Sequence, residues 1–217
     1  MSFMRDNTFV SKFKAMDIQN VLRCIVQQDE LHARWLNTLS FMENAGARKI
    51  SQCEHPTEVS IIQLKHAAEE HRHAYYLKKQ IGKLGTAICS TYEDKYLIAP
   101  VYTKQYLHQL DIKSCRYLKE TFNLSGAALK HAAYLFVTYA IEARADELYP
   151  IYQHTLDTMK SKVMVKSIIL EEEGHLEEMI DQLAQFSPQW EQYANNVQTI
   201  ERALHTEWIS AIESQLN

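Results

Sequence analysis

A helical repeat of apolar residues limits the fold of this chain more than any other sequence feature. Between about residues 14 and 52, one stripe advances in steps of three and four through Ile18, Leu22, Ile25, Asp29, His32, Leu36, Leu39 and Glu43. Because an α-helix turns once in 3.6 residues, this stripe lies along one helical face. Ionisable residues on an otherwise apolar face need partners, so the buried face has more than a packing role.

The same periodicity predicts four more long helices. The five predicted helices cover about residues 14–52, 56–85, 126–154, 159–186 and 188–215. Five Gly and four Pro in 217 residues are too few for the frequent turns of a β-sandwich or barrel. We therefore predict an all-α fold and a single domain over residues 1–217. Its first four helices form a four-helix bundle of two antiparallel hairpins, and the last helix flanks the bundle.

The predicted connection between the second and third helices, residues 86–125, is the least regular part of the sequence. It is rich in tyrosine, with Tyr92, Tyr96, Tyr102, Tyr106 and Tyr117. We expect one or two short helices in this insertion. Long connections in compact domains are often functional, but this one is also needed to return the chain to the other end of the bundle.

Charge and hydropathy exclude several classes of partner. The formal net charge of −4 gives no basic excess for binding nucleic acid. The first six residues lack the apolar segment of a secretory signal, and the charge-free run 131–141 is too short to cross a bilayer. We expect a cytoplasmic protein that binds neither nucleic acid nor membrane.

Two Glu-x-x-His motifs, Glu70 to His73 and Glu172 to His175, are the strongest chemical signal. Residues three apart share a helical face, so each pair can reach one metal ion. Both pairs lie on the apolar, core-facing stripe of their helices, where a charge needs a partner or a metal. The alternative is that each pair is a buried salt bridge or hydrogen bond.

Antiparallel geometry predicts the carboxylate that faces the first motif. Glu70 lies 14 residues after Pro56, and Glu43 lies 13 residues before it on the apolar stripe. Glu30 lies 26 residues before Pro56, which puts it about 18 Å too far along the axis at 1.5 Å per residue. The sequence therefore favours Glu43 over Glu30 or Asp29.

The second hairpin repeats this arrangement. Glu142 and Glu172 are equally distant from Asp157, which lies near the predicted turn. Each hairpin thus supplies one Glu and then a Glu-x-x-His motif. Carboxylates and imidazoles together suit Fe(II) or Mn(II).

With this pattern, about residues 15–85 and 126–186 resemble the ferritin-like superfamily of non-haem di-iron or di-manganese carboxylate proteins. The resemblance implies two iron ions, or manganese or a mixed pair instead. It implies as direct ligands Glu43, Glu70, His73, Glu142, Glu172 and His175, with Glu70 and Glu172 bridging the metals. The long connection and the last helix depart from a minimal ferritin-like subunit. Segment 141–147 is similar to the third-helix motif of tRNA-modifying di-iron hydroxylases, but no subfamily is assigned.

The first functional hypothesis is an oxidoreductase that activates O2 or peroxide to oxidise or hydroxylate a substrate, with no catalytic residues beyond the metal ligands. Its partners would be O2, a small molecule of an apolar or aromatic kind, and an electron donor that the sequence does not identify; a homodimer is compatible with it. Iron binding or ferroxidase activity for storage or detoxification is one alternative. A metal-free helical interaction protein is another.

Several other polar residues allow two interpretations, hydrogen bonding to a ligand or ordinary packing. These are Asp29, His32, His66, His131 and Asp146. For Asp29 and His32 we favour a polar contact inside the bundle. Glu171 and Glu173 flank Glu172 but point away from its face, so we expect solvated or interfacial charges.

Overall fold

The computed structural model describes residues 18–86 and 88–216. These residues form α1 (Ile18–Val26), α2 (Asp29–Gln52), α3 (Ile61–Ile81), α4 (Pro100–Phe122), α5 (Gly126–Thr158), α6 (Lys166–Phe186) and α7 (Trp190–Leu216). A 3₁₀ turn covers Asp94–Tyr96, and no strand occurs in the described residues. The predicted all-α class is therefore confirmed. Within these ranges no helix is both long and apolar enough to cross a membrane.

Four of the helices form two hairpins, α2 with α3 and α5 with α6. In the first hairpin, Gln63 Nε2 donates to the Ile50 carbonyl at 2.9 Å, and Ser40 Oγ donates to the Ala74 carbonyl at 2.7 Å. Residue numbers on the two helices change in opposite directions, so α2 and α3 are antiparallel. The α2–α3 connection is centred near Pro56, as predicted.

The two hairpins meet along α3 and α6, which are also antiparallel. Lys65 pairs with Glu178 at 2.6 Å, and Arg72 pairs with Glu171 at 2.6 Å. Because α3 and α5 both run opposite to α6, they run in the same direction. The chain between α3 and α5 must therefore return along the bundle, and most of that return is α4.

The insertion differs from our prediction of one or two short helices, because α4 is a single helix of 23 residues. Its buried residues are Thr103, Tyr106, Leu110, Ser114 and Leu118. Two of these five side chains are small and polar, which weakens the apolar stripe that the sequence offers. α4 packs against α5 and α7, and α1 packs against α2, α5 and α7.

The prediction of a single continuous first helix is wrong, because the structure has two helices there, α1 and α2. The helix is interrupted at Gln27 and Gln28, where the backbone of Gln28 is extended with φ −124° and ψ 113°. The break does not interrupt the spacing of the stripe, so periodicity alone could not reveal it. Residues 14–17 of the predicted helix lie outside the described part.

Other helix ends also differ. α3 begins at Ile61 instead of near Pro56, because Ser60 Oγ accepts from the Gln63 amide at 3.3 Å and caps the helix there. α5 continues through Pro150 to Thr158, and α6 begins at Lys166 instead of about residue 159. α7 begins two residues later than predicted.

Candidate metal centre

The six predicted ligands lie together inside the bundle. Glu43 comes from α2, Glu70 and His73 from α3, Glu142 from α5, and Glu172 and His175 from α6. All except Glu43 have side chains that are nearly inaccessible to solvent. Glu43 is partly accessible because it also lines a cavity.

The six side chains form two overlapping groups. Within each group the candidate ligand atoms lie within 4.8 Å of one another. The groups are Glu43, Glu70, His73 and Glu172, and Glu70, Glu142, Glu172 and His175. Glu70 and Glu172 belong to both groups, so their carboxylates lie where they could bridge two ions.

Hydrogen bonds on the far side of each imidazole fix which nitrogen faces the cluster. His73 Nε2 lies 2.7 Å from Glu171 Oε2, and His175 Nε2 lies 2.6 Å from Glu69 Oε2. An ionised carboxylate only accepts, so each Nε2 carries a proton and donates it. In the neutral rings the Nδ1 lone pairs then point into the cluster.

Those lone pairs face carboxylate oxygens. His73 Nδ1 lies 3.0 Å from Glu172 Oε1. His175 Nδ1 lies 3.6 Å from Glu70 Oε1 and 3.7 Å from Glu142 Oε2. Two acceptors at such distances repel each other unless a proton or a cation lies between them.

Three buried atoms of the cluster make no hydrogen bond within the described part of the chain. They are His73 Nδ1, His175 Nδ1 and Glu172 Oε2. Buried polar atoms normally have partners, so these three need explanation. Two divalent cations would coordinate all of them, and four carboxylates would offset their four positive charges. The residues therefore fit a pair of ions that accept oxygen and nitrogen ligands.

Electrostatics also indicate that the metal-free cluster holds protons. Burial raises the pKa of Glu43. Burial and repulsion from the neighbouring carboxylates raise the pKa of Glu70 and Glu142 well above the usual range. Burial favours the neutral rings of both histidines, but the adjacent carboxylates outweigh it and raise the pKa of His73 and His175.

Glu172 differs from the other three carboxylates. Burial favours its protonated form, but the adjacent side chains of Glu142, His175 and His73 outweigh it and lower its pKa. Among the four carboxylates, Glu172 is therefore the one that ionises most readily in the metal-free cluster.

The carboxylates that hold the histidines were missed by the sequence prediction. The sequence favours a solvated or interfacial charge at Glu171, but in the structure Glu171 accepts a hydrogen bond from buried His73. Glu69 does the same for His175. The sequence does contain a signal for these two carboxylates, because a second Glu precedes each motif, so that both read Glu-Glu-x-x-His. Arg72 lies 2.6 Å from Glu171 and 3.3 Å from Glu69, and so joins the two outer carboxylates.

The remaining α2 candidates lie away from the cluster. Asp29 and Glu30 are exposed in the first turn of α2. His32 is buried, and its Nε2 lies 2.6 Å from the Tyr152 hydroxyl. Burial lowers the pKa of His32 to about 4. His32 thus makes a polar contact inside the protein, in agreement with the prediction, whereas the prediction is wrong for Asp29, which is exposed.

His66 lies beside the cluster. Its ring centroid is 4.7 Å from that of His175. Its Nε2 lies 2.8 Å from Glu178 Oε2, and its Nδ1 lies 3.0 Å from the Tyr134 hydroxyl. His66 therefore supports His175 by packing. His131 and Asp146 are exposed.

A cavity of about 340 Å³ adjoins the cluster between α2, α4 and α5. Glu43, Glu70, Glu142 and Glu172 contribute to its lining. So does buried Tyr149, whose hydroxyl donates a hydrogen bond to Glu43 Oε1. Five of the six cluster side chains are thus nearly inaccessible to solvent, and a partly open cavity lies beside them.

Comparisons of the chain with protein-family models, with curated proteins and with solved structures found no match. The fold and the site nevertheless define a class. This is a helical protein with a buried carboxylate and histidine cluster that could bind metal, and its architecture is compatible with a ferritin-like fold.

Proposed function

We propose that this chain is a ferritin-like di-metal carboxylate oxidoreductase that activates O2 or peroxide at a pair of iron ions, with manganese or a mixed pair as alternatives. The observation that carries the proposal is the pair of buried Nδ1 atoms, on His73 and His175, that face carboxylate oxygens without a hydrogen-bond partner in the described chain. Glu43 and His73 would hold one ion, and Glu142 and His175 the other. Glu70 and Glu172 would bridge them.

The course of the helices supports the ferritin-like part of the proposal. In bundles of this kind one long crossover connects two antiparallel hairpins, and carboxylates with Glu-x-x-His motifs project inward from facing helices. Here α3 and α5 run in the same direction, and residues 82–125 provide the crossover.

A bound pair of redox-active ions would supply the electrons that reduce O2. The chain's own residues hold and isolate that site. Glu171 and Glu69 keep the histidine protons on Nε2, which leaves both Nδ1 atoms free to bind. A hydroxylation would consume one substrate C–H bond, one O2, two electrons and two protons, and would yield the alcohol and one water. An external electron donor would supply the two electrons.

The cavity favours an enzyme over a storage protein, because a substrate could lie beside the carboxylates. Storage would require assembly into a large hollow shell. Size-exclusion chromatography separates the two, since an enzyme of this kind is expected as a monomer or homodimer.

Adjacent glutamates on α6 offer a matched test. Glu172 is buried in the cluster, whereas Glu173 is exposed. In anaerobic calorimetric titrations with Fe(II), we expect Glu173→Gln to bind about two ions per chain and Glu172→Gln to lose tight binding of both. Equal binding by the two variants would refute the proposed site.

A histidine pair on α3 provides an independent comparison. His73 is buried, and His71, two residues earlier, is exposed. His73→Ala should weaken mainly one of the two ions, while His71→Ala should leave both. Protein that contains no metal and binds none would instead support the metal-free interaction protein.

A further inference from the structure

The cavity beside the cluster has the size and the lining of a small-molecule site. Its volume of about 340 Å³ lies within the range of ligand pockets, about 300 to 1,000 Å³. Apolar side chains from three helices supply much of the wall, among them Leu39, Met42 and Ile50 of α2, Leu107 of α4, and Val137 and Ile141 of α5. Glu172 also lines the cavity. Its Oε2 atom is buried and has no hydrogen-bond partner in the described chain.

Gly46 keeps part of this space open. It lies within α2 and lines the cavity, and a Cβ built on it would meet no atom of the described chain within 4 Å, its own helical turns aside. A helical Gly costs about 1 kcal/mol relative to Ala. Neither a close neighbour nor a positive φ calls for glycine here. The remaining physical effect of the missing side chain is that it leaves room in the cavity.

The charges of the lining disfavour an anionic ligand. Its lysine and arginine side chains are already paired: Lys49 with Asp111 at 2.7 Å, Lys104 with Asp94, and Arg144 with Glu201 at 2.8 Å. Four cluster carboxylates contribute to the same lining. A carboxylate or phosphate on the ligand would therefore lose water without gaining an unpaired cation.

We propose that this cavity binds a small, uncharged, apolar molecule and that Gly46 sets the largest size accepted. The inference rests on the proposed function only where it makes this molecule the substrate of the oxidoreductase. Binding itself requires the cavity and not the metals. It can therefore be tested on chelator-treated protein.

The probe for the test is N-phenyl-1-naphthylamine, an uncharged aromatic amine that becomes fluorescent in apolar surroundings. We expect the full chain to bind about one probe molecule, in keeping with a single small-molecule site. 1-Octanol should displace the probe, and octanoate, which differs by its charge, should not. Displacement by octanoate as effective as that by 1-octanol would overturn the proposed ligand chemistry.

Two glycines provide the matched variants. Gly174 also lies within a helix with no described atom near a built Cβ, but it does not line the cavity. Gly46→Leu should weaken probe binding at least about tenfold, or about 1.4 kcal/mol, while Gly174→Leu should not. Leu107→Trp narrows the cavity from α4 and should act like Gly46→Leu if that variant does not fold. Wild-type probe affinity in every folded cavity variant would overturn the assignment.

Metal titration of the same proteins separates the two proposals. Probe binding that depends on Gly46, in a protein that binds no Fe(II), would retain this inference and reject the proposed function. Tight binding of two ions without probe binding would retain the proposed function and reject this inference.

Discussion

Each histidine of the cluster is held by a carboxylate from the other hairpin. Glu171 of α6 accepts from His73 of α3, and Glu69 of α3 accepts from His175 of α6. The ligand orientation in one hairpin therefore depends on the docking of the other. This reciprocity makes the α3–α6 contact part of the site.

Glu171→Gln should lower the affinity for metal without removing a direct ligand. The amide oxygen still accepts from His73 Nε2, but it lacks the charge that orients the ring and makes it more basic. We expect an affinity lower by about 10- to 100-fold in a Mn(II) titration, with nearly unchanged stoichiometry. Exposed Glu173 supplies the control, Glu173→Gln. Equal affinities in the two variants would show that Glu171 does not act through His73.

The position of Glu43 could be predicted because the turn between the two helices lies near Pro56, as expected, although α3 begins later than predicted. α2 ends at Gln52 and α3 begins at Ile61, so the centre of the connection remains near Pro56. The outer carboxylates could not be predicted in the same way. Their partners lie across the α3–α6 contact, and spacing within one helix does not reveal contacts between hairpins.

Among the elements, α4 shows most clearly where periodicity fails. Its buried face includes Thr103 and Ser114, which are small and polar and therefore do not contribute to an apolar stripe. The Thr103 hydroxyl accepts from Trp208 Nε1 at 2.9 Å, and the Tyr106 ring stacks on Trp208. Such contacts depend on α7, which lies far away in sequence. A hydrophobic stripe within residues 86–125 could not show them.

A buried ion pair connects α4, α5 and α7. Glu201 of α7 accepts from Arg144 Nε at 2.8 Å and from the Tyr106 hydroxyl at 2.6 Å. Glu201→Ala would leave the mostly buried Arg144 charge without this partner, at a cost of about 3 to 5 kcal/mol. We expect a decrease in Tm of roughly 6 to 20 °C for a chain of this size. Exposed Glu207 on α7 gives the control, Glu207→Ala, and equal Tm values would contradict the role of Glu201.

The helical glycine of α2 gives a stability prediction separate from ligand binding. Gly46→Ala should stabilise the protein by about 0.5 to 1 kcal/mol, because alanine loses less backbone entropy in a helix and the site has room for the methyl group. Gly174→Ala should have a similar effect. Thermal unfolding measures both. A lower Tm for Gly46→Ala alone would mean that α2 requires glycine at this position.

For the whole molecule, the cluster links stability to pH. The raised pKa values of Glu70, Glu142, His73 and His175 mean that the folded, metal-free protein holds protons that the unfolded chain releases. Stability from these groups is therefore present at low pH and lost as pH rises through the folded-state pKa values. The lowered pKa of Glu172 has the opposite effect, but in the acid range below the usual carboxylate pKa.

Metal ions bind the deprotonated ligands, so they should reverse this loss. We expect the increase in Tm caused by Mn(II), relative to chelator-treated protein, to grow between about pH 5 and about pH 8. Differential scanning calorimetry at several pH values measures it. An increment that stays constant or shrinks with pH would argue against metal binding by these side chains.

The central claim is that two hairpins together build a site for two metal ions. Anaerobic titration of the chelator-treated chain with Fe(II), followed by exposure to O2 in an optical cuvette, tests it most directly. The account predicts tight binding of about two ions per chain and a change in the absorption spectrum as O2 oxidises the bound iron. Binding of fewer than about one ion per chain, with no spectral change on adding O2, would contradict it.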